Sequence, residues 1–529
     1  MDALGKSIIG TRAMVTSPHH LASMAGARTL QRGGNAFDAA VAISACLGVV
    51  YPHMTGVGGD SFWMTYSASE GRVRVYNATG KAGHCVNRSL YENVASIPSR
   101  GIRGAITVPG MVDGWDAIAG TYGRLPWGEL FESAIAYAER GFPLSGDQHA
   151  NTAANWAMLK ASAAASRVYA PGNQAPKAGS SFVQQDLART LKQIAEKGKE
   201  VFYRGELAER ITEHFLRAGG YLTLEDFANH SGYWTEPLKG TYRGYEICQA
   251  PPNSQGFAAI LALHQLERHS LQHIEHGSYE YYHLLIESLK LAFRDRNEVL
   301  TDPDFASIPL DRLLSPEYAA GLAASIDMKK AGELASAPMG GDTAYAAVID
   351  EEGNAVSFIQ SLYFEFGSGE VAGDTGILLQ NRGSFFSLDP KHPNRLEPGK
   401  RTFHTLMPAM ALRDGKPAIL YGTQGGEGQP QTQTAILTRM VDYGMNPQSA
   451  IEEPRWVWGR TWGEASHALR LESRIDPAVV KQLGEAGHDI RVVGSFDQAM
   501  GHAGAIQVTD EGFLQGGADP RSDGAAIGW

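Results

Sequence analysis

Thr343 follows Gly340-Gly341-Asp342 and opens the run Ala344-Tyr-Ala-Ala-Val-Ile349, which ends at Asp350. The run is short, uncharged until its last residue and rich in small and β-branched side chains, so it reads as a strand. Glu351-Glu352-Gly353 forms a turn, with Gly353 at the place where a three-residue hairpin loop usually takes a left-handed glycine. Residues 354–362 are the returning strand, and pairing Asp350 with Asn354 sets Thr343 opposite Ser361. Two hydroxyls then face each other at the open end of a hairpin. The Thr343 hydroxyl could attack the carbonyl of Asp342, and hydrolysis of the resulting ester would leave Thr343 as a new N-terminus. A free α-amino group titrates at about 7.7–8.0, so it can serve as general base for its own hydroxyl. Ser361 would donate a hydrogen bond that orients the threonine oxygen. The plain alternative is an ordinary strand threonine, which the hairpin taken alone favours.

Other elements must hold such a site. Residues 21–31 and 36–50 have helical periodicity, the first ending at Gly33-Gly34 and the second capped by Asn35. Gly56-Val-Gly-Gly59 follows a helix rather than a strand, so it is a weak dinucleotide fingerprint and a better tight turn into a strand at 61–66. Helices are expected at 127–140, 184–197, 207–218 and 279–297, and another, capped by Ser254, runs through Arg268. Residues 329–338 are small and polar, suiting an exposed approach to Thr343. Strands at 406–412 and 417–423 flank Arg413-Asp-Gly-Lys416. The second meets Gln424-Gly-Gly-Glu-Gly428 and a helix at about 430–443. Glycines between a strand and a helix N-terminus let backbone N–H groups converge on negative charge, and phosphate is their commoner guest. A last hairpin, 505–508 with 513–516, completes a sheet.

Motifs along nearly the whole chain resemble the γ-glutamyltranspeptidase family of N-terminal-nucleophile hydrolases. They run in the family's order: Ser17-Pro-His-His-Leu-Ala-Ser23, Gly33-Gly-Asn-Ala-Phe-Asp-Ala-Ala40, Gly56-Val-Gly-Gly-Asp60, His283-Leu-Leu-Ile-Glu287, and Phe293-Arg-Asp-Arg296 through Asp302-Pro-Asp-Phe305. After the hairpin come Gly376-Ile-Leu-Leu-Gln-Asn381, Pro398-Gly-Lys-Arg401, Gly425-Gly426 and Asp519-Pro-Arg-Ser-Asp-Gly524. The resemblance implies a four-layered αββα sandwich of the α/β (α+β) class and cleavage between Asp342 and Thr343. One domain spanning 1–529 would then be cut into a large subunit, 1–342, and a small one, 343–529, with a dimer of such heterodimers as a candidate assembly. It also implies Thr343 as nucleophile and an oxyanion hole at Gly425 and Gly426. Losing one oxyanion donor typically costs about 100- to 1,000-fold in rate.

The residues depart from the transpeptidases where the substrate's amino acid end would sit. The family's carboxylate-clamping arginine falls on Thr79; Lys81 nearby reads as a solvated loop residue. Its asparagine, glutamine and aspartate for the α-ammonium fall on Tyr363, Arg382 and Phe385, and its paired serines on His404 and Thr405. No acid remains at these positions, and a guanidinium has entered. An arginine repels an ammonium and grips a carboxylate in a bidentate fork. Tyr363 and Phe385, with Phe364 and Phe366 close in sequence, would shrink the pocket, although strand alternation lets only some face it. The implied substrate is a small anionic amide with its carboxylate close to the scissile carbonyl. Oxamate fits, and this branch resembles the oxamate amidohydrolases of cytoplasmic nitrogen salvage. Tyr363, Arg382 and the 381–390 segment also resemble the cephalosporin-acylase-like branch. Arg382 has a structural alternative, an ion pair with Asp374 or Asp389. His404 reads equally as a pocket hydrogen-bonder or a satisfied buried histidine.

Composition bounds the alternatives. The 529 residues are 43% hydrophobic and 19% charged, enough for a large core, with no linker or repeat dividing them. A formal charge of −11 without a basic cluster argues against nucleic acid as a partner. The three cysteines, Cys46, Cys85 and Cys248, have neither disulfide nor metal spacing. No metal or cofactor signature appears. No apolar run suggests a membrane span, and the N-terminus lacks a signal-peptide pattern, so the expected location is cytoplasmic. Two rivals stand beside the amidohydrolase: a broader acylase or γ-glutamyl hydrolase, and an uncleaved binding scaffold.

Overall fold

The computed structural model describes residues 5–333, 342–459 and 466–529. Gly340, Gly341 and the latter part of the 329–338 segment lie outside the described residues, as does the Asp342 side chain. Two seven-stranded sheets stack face to face. Across the first run Ala525–Gly528, Met14–Ser17, Asp342–Ile349, Ala355–Tyr363, Asp60–Ser67, Arg72–Ala78 and Tyr233–Thr235. Across the second run Ile8–Gly10, Leu514–Ala518, Ala503–Val508, Lys416–Thr423, Ala409–Arg413, Tyr245–Gln249 and Leu238–Tyr242. Every pairing within these two sheets is antiparallel.

Strand alternation separates the layers. Tyr345, Ala347 and Ile349 point between the sheets with Met64, Ile359, Met410 and Leu420. Ala344, Ala346 and Val348 face a helical layer that includes His20–Gln31 and Ala36–Val50. On the far side Gly256–Leu266, Tyr279–Val299 and Gly428–Asp442 cover the second sheet. This is the expected αββα sandwich.

Asn35 caps its helix through a reciprocal capping box with Asp38, fixing the element where the sequence placed it. Ser254 does not cap: Gln255 holds the N-cap position, and the Ser254 hydroxyl donates to the Leu406 carbonyl. The expected helix at 127–140 is a 3-10 turn, Trp127–Phe131, followed by Glu132–Arg140. The strand expected from 406 begins three residues later, at Ala409. Lys81 is exposed, as a loop residue would be.

Candidate active site

The hairpin register holds for most of its length and then slips. Ile349 pairs with Ala355 and Ala344 with Gln360, but Asp342 pairs with Tyr363, so Ser361 and Leu362 together stand opposite Thr343, and the expected one-to-one pairing of Thr343 with Ser361 gives way to a bulge in the returning strand. Bulges re-aim a side chain and often accompany active sites. Thr343 is wholly buried, and the Gln429 carboxamide Nε2 lies 3.4 Å from its Oγ1. Ser361 Oγ has a role the sequence did not give it. It accepts from the Tyr363 N–H at 2.7 Å and from Arg382 Nη2 at 3.1 Å, coupling the hairpin to the arginine. Tyr363 stands at φ +87°, a left-handed value that is costly for a residue with a Cβ and typical of constrained sites.

Arg382 is buried and lies 4.5 Å from the centre of the Tyr363 ring and 5.4 Å from that of Phe385. Tyr363 stacks on both Phe385 and Phe364. Phe366 instead packs into the helical layer beside Tyr169. The ion-pair alternative for Arg382 fails: Asp374 pairs with Arg210, and Asp389 accepts the backbone N–H of Lys391. Among the described residues Arg382 makes no salt bridge. Nη1 reaches Thr405 Oγ1 at 3.5 Å, and Nε is buried without a partner.

Asp60 is the acid that motif registration missed, because it belongs to a strand far away in sequence. Its Oδ1 accepts from the Gly80 and Gly110 N–H groups and from Gln380 Nε2, and its Oδ2 lies 3.3 Å from His404 Nε2. Burial pushes this carboxyl up to about 6, against the pull of Arg382 and its N–H donors. Burial, and then Arg382, hold His404 well below the ordinary histidine range, so its ring is neutral. With Nε2–H donating to Asp60, His404 Nδ1 is an acceptor, buried and without a partner. Arg382 itself drops only to about 10 through burial and stays charged at neutral pH.

Beyond Thr343 the strand Lys416–Thr423 leads into the glycine loop. Gly422 lies under the Tyr345 ring, where an added Cβ would meet Cδ2 at 2.2 Å. Gly425 and Gly426 have φ of +116° and +52°, which suit glycine alone. Among the described residues neither donates its N–H to a protein acceptor. Gln255 Nε2 donates to the Gly426 and Thr405 carbonyls, and its Oε1 accepts from Arg296, which pairs with Glu427 at 2.8 Å. This buried chain pins the loop from behind. Phe293-Arg-Asp-Arg296 was visible as a motif, but its service to the loop was not.

Elsewhere, His283, Glu287 and His488 are the only described group whose ligand atoms converge within 4.8 Å. Lys290 Nζ lies 2.8 Å from Glu287 Oε1 and 3.4 Å from His488 Nδ1. His488 Nε2 is 3.0 Å from His283 Nδ1, and His283 Nε2 is 2.9 Å from the Asp327 carbonyl. Each nitrogen therefore has a partner, and Glu287 is already paired with the Lys290 ammonium.

Residues 22–529 match the family described as γ-glutamyltranspeptidase. The chain belongs to that family. This γ-glutamyltranspeptidase-family chain is 59% identical, over 99% of its length and 100% of the relative, to the glutathione hydrolase-like YwrD proenzyme of Bacillus subtilis. It is 42% identical to the oxamate amidohydrolase proenzyme of Klebsiella pneumoniae, over 99% of each chain. The crystal structure of cephalosporin acylase from Bacillus halodurans superposes with a TM-score of 0.93 at 35% identity, covering 100% of this chain and 98% of that one. The Bacillus subtilis and Klebsiella pneumoniae relatives are a hydrolase-like and an amidohydrolase proenzyme, and this chain is an enzyme of their family. No described helix is long and apolar enough to cross a membrane.

Proposed function

We propose that the protein is a self-processing amidohydrolase that cuts small amides carrying a carboxylate near the scissile carbonyl, with oxamate as the leading substrate. Cleavage before Thr343 frees its α-amine. The amine takes the proton of the Thr343 hydroxyl as Oγ attacks the amide carbon, and the Gly425 and Gly426 N–H groups receive the oxyanion. Ammonia leaves with a proton from the ammonium, and water then hydrolyses the acyl ester, yielding oxalate from oxamate and restoring Thr343. Arg382, Thr405 and Ser361 hold the carboxylate between the rings of Tyr363 and Phe385. His404 Nδ1 accepts an N–H of the substrate amide.

One observation carries this reading: Arg382 is buried beside the hairpin with no salt bridge to a described acid. A buried cation with no carboxylate in contact costs on the order of several kcal/mol, only partly offset by Asp60 at longer range, so its retention suits an anionic guest. Asp60 is fully engaged by four donors, which leaves it poorly placed to receive an ammonium. The name of the Klebsiella pneumoniae relative agrees with this reading; that of the Bacillus subtilis relative favours a γ-glutamyl substrate.

The test is steady-state kinetics on a panel of short amides, with a γ-glutamyl anilide beside oxamate, for wild type and Arg382→Gln. Carboxylate-bearing amides should be preferred. The substitution should lower their kcat/KM by about 10- to 100-fold, as expected for a lost charge-assisted contact. A clear preference for the anilide, or an Arg382→Gln enzyme undiminished on oxamate, overturns the assignment.

A further inference from the structure

Gln429, on the first turn of helix Gly428–Asp442, is fully buried, and its two amide atoms have different fates. Nε2 lies against Thr343 Oγ1 at 3.4 Å, whereas Oε1 has no partner. An unsatisfied buried carboxamide oxygen carries the full cost of desolvation, so its presence calls for a group that arrives later. Cleavage before Thr343 supplies one. The Thr343 hydroxyl adds to the Asp342 carbonyl, the C–N bond breaks as the hydroxyl proton passes to nitrogen, and one water opens the ester. The products are a carboxylate at Asp342 and, at Thr343, a restored hydroxyl and a new ammonium where an amide N–H had been.

An ammonium has three protons to place, and the amide nitrogen it replaces had one. The new nitrogen is bonded to the carbon next to the one bearing Oγ1, so the carboxamide that lies against Oγ1 stands close to that nitrogen, with its oxygen uncommitted. We propose that Gln429 is a positioning residue, one that holds the Thr343 hydroxyl before cleavage and accepts the released ammonium afterwards. Its carboxamide thus orients the amine as base toward its own hydroxyl. This inference rests on Thr343 being the nucleophile.

Cleavage itself leaves a new carboxylate at Asp342, and the other charged and titratable groups towards this strand end are tied to their surroundings. Asp60 and Arg382 counter each other electrostatically, His404 and His502 are buried imidazoles, and Glu427 is tied to Arg296. A carboxylate placed at 429 would therefore act directly on the amine. Three variants test the proposal: Gln429→Leu, Gln429→Glu and Thr343→Ala, each first checked for wild-type thermal unfolding. Gln429→Leu should slow self-cleavage, read as two bands on a denaturing gel, by about tenfold, the scale of one lost hydrogen bond. Gln429→Glu, once cleaved, should move the acid limb of the kcat/KM profile up by about one pH unit, since an opposite charge favours the ammonium. Its KM for substrate should stay near that of wild type.

Wild-type cleavage in Gln429→Leu together with an unmoved limb in Gln429→Glu overturns the proposal while leaving Thr343 intact as nucleophile. If Gln429→Leu does not fold, the limb of Gln429→Glu alone decides. Thr343→Ala separates the two readings: it should remain uncut and inactive, and if it is cut or active the nucleophile assignment fails and this inference falls with it.

Discussion

Asp60 and Arg382 share one buried space and bias its charge in opposite directions. Asp60, pushed up to about 6 by burial, is neutral on the acid side of that value and leaves the guanidinium uncompensated. An anionic substrate should then bind better as pH falls through about 6, with KM rising severalfold on the alkaline side. Asp60→Asn should hold KM at its acid value across the range, and a KM profile measured against pH in both proteins checks this. Stability moves with the same proton. The folded value lies above the ordinary 3.8, so the native state holds an extra proton between the two, and stability declines as pH rises across that window. Thermal unfolding between those limits should show a shallower decline in Asp60→Asn. These residues also mark how far the sequence could be read. Arg382, Tyr363 and Phe385 could be singled out because motif spacing places them after the hairpin, and the structure brings their side chains together. Asp60 was quoted in the glycine motif but left without a role, because only the sheet brings it beside His404.

At the scale of elements, the glycine loop depends on a support it does not touch in sequence. Arg296, on the long helix Tyr279–Val299, pairs with Glu427 where both are almost wholly buried, and passes a hydrogen bond through Gln255 to the Gly426 carbonyl. Arg296→Met should destabilise the protein by about 3–5 kcal/mol by stranding Glu427, and should also lower kcat by loosening Gly426. Adding Glu427→Leu should restore most of the stability without restoring kcat. Chemical denaturation alongside single-turnover kinetics separates the two effects, and a double variant with wild-type kcat would show the loop to be independent of Arg296. Local chemistry made many elements readable: the Asn35 capping box, the Gly353 turn and the strand ending at Thr423 lie close to where pattern and turn residues put them. The bulge opposite Thr343, at Ser361 and Leu362, was not readable, because alternation fixes which face a residue takes and says nothing of one extra residue where pairing ends. The Ser254 cap failed for a tertiary reason, since the Leu406 carbonyl claims its hydroxyl.

For the whole molecule, the proposed cut falls in the middle of a woven structure. In the first sheet, Met14–Ser17 pairs with Asp342–Ile349 on one side and Ala525–Gly528 on the other, and Asp60–Ser67 pairs with Ala355–Tyr363. In the second, Tyr245–Gln249 pairs with Ala409–Arg413, and Ile8–Gly10 with Leu514–Ala518. The two pieces should co-elute as one particle under native conditions and part only in denaturant, which size-exclusion chromatography with a denaturing gel will show. Two native peaks would contradict the interleaving. Severing one peptide bond also changes the molecularity of unfolding. The precursor melts to a single coil at a midpoint indifferent to dilution, whereas the processed enzyme melts to two strangers that must meet again, so its midpoint should climb with concentration. Maturation would thus turn a reversible fold into one whose recovery depends on finding its other half.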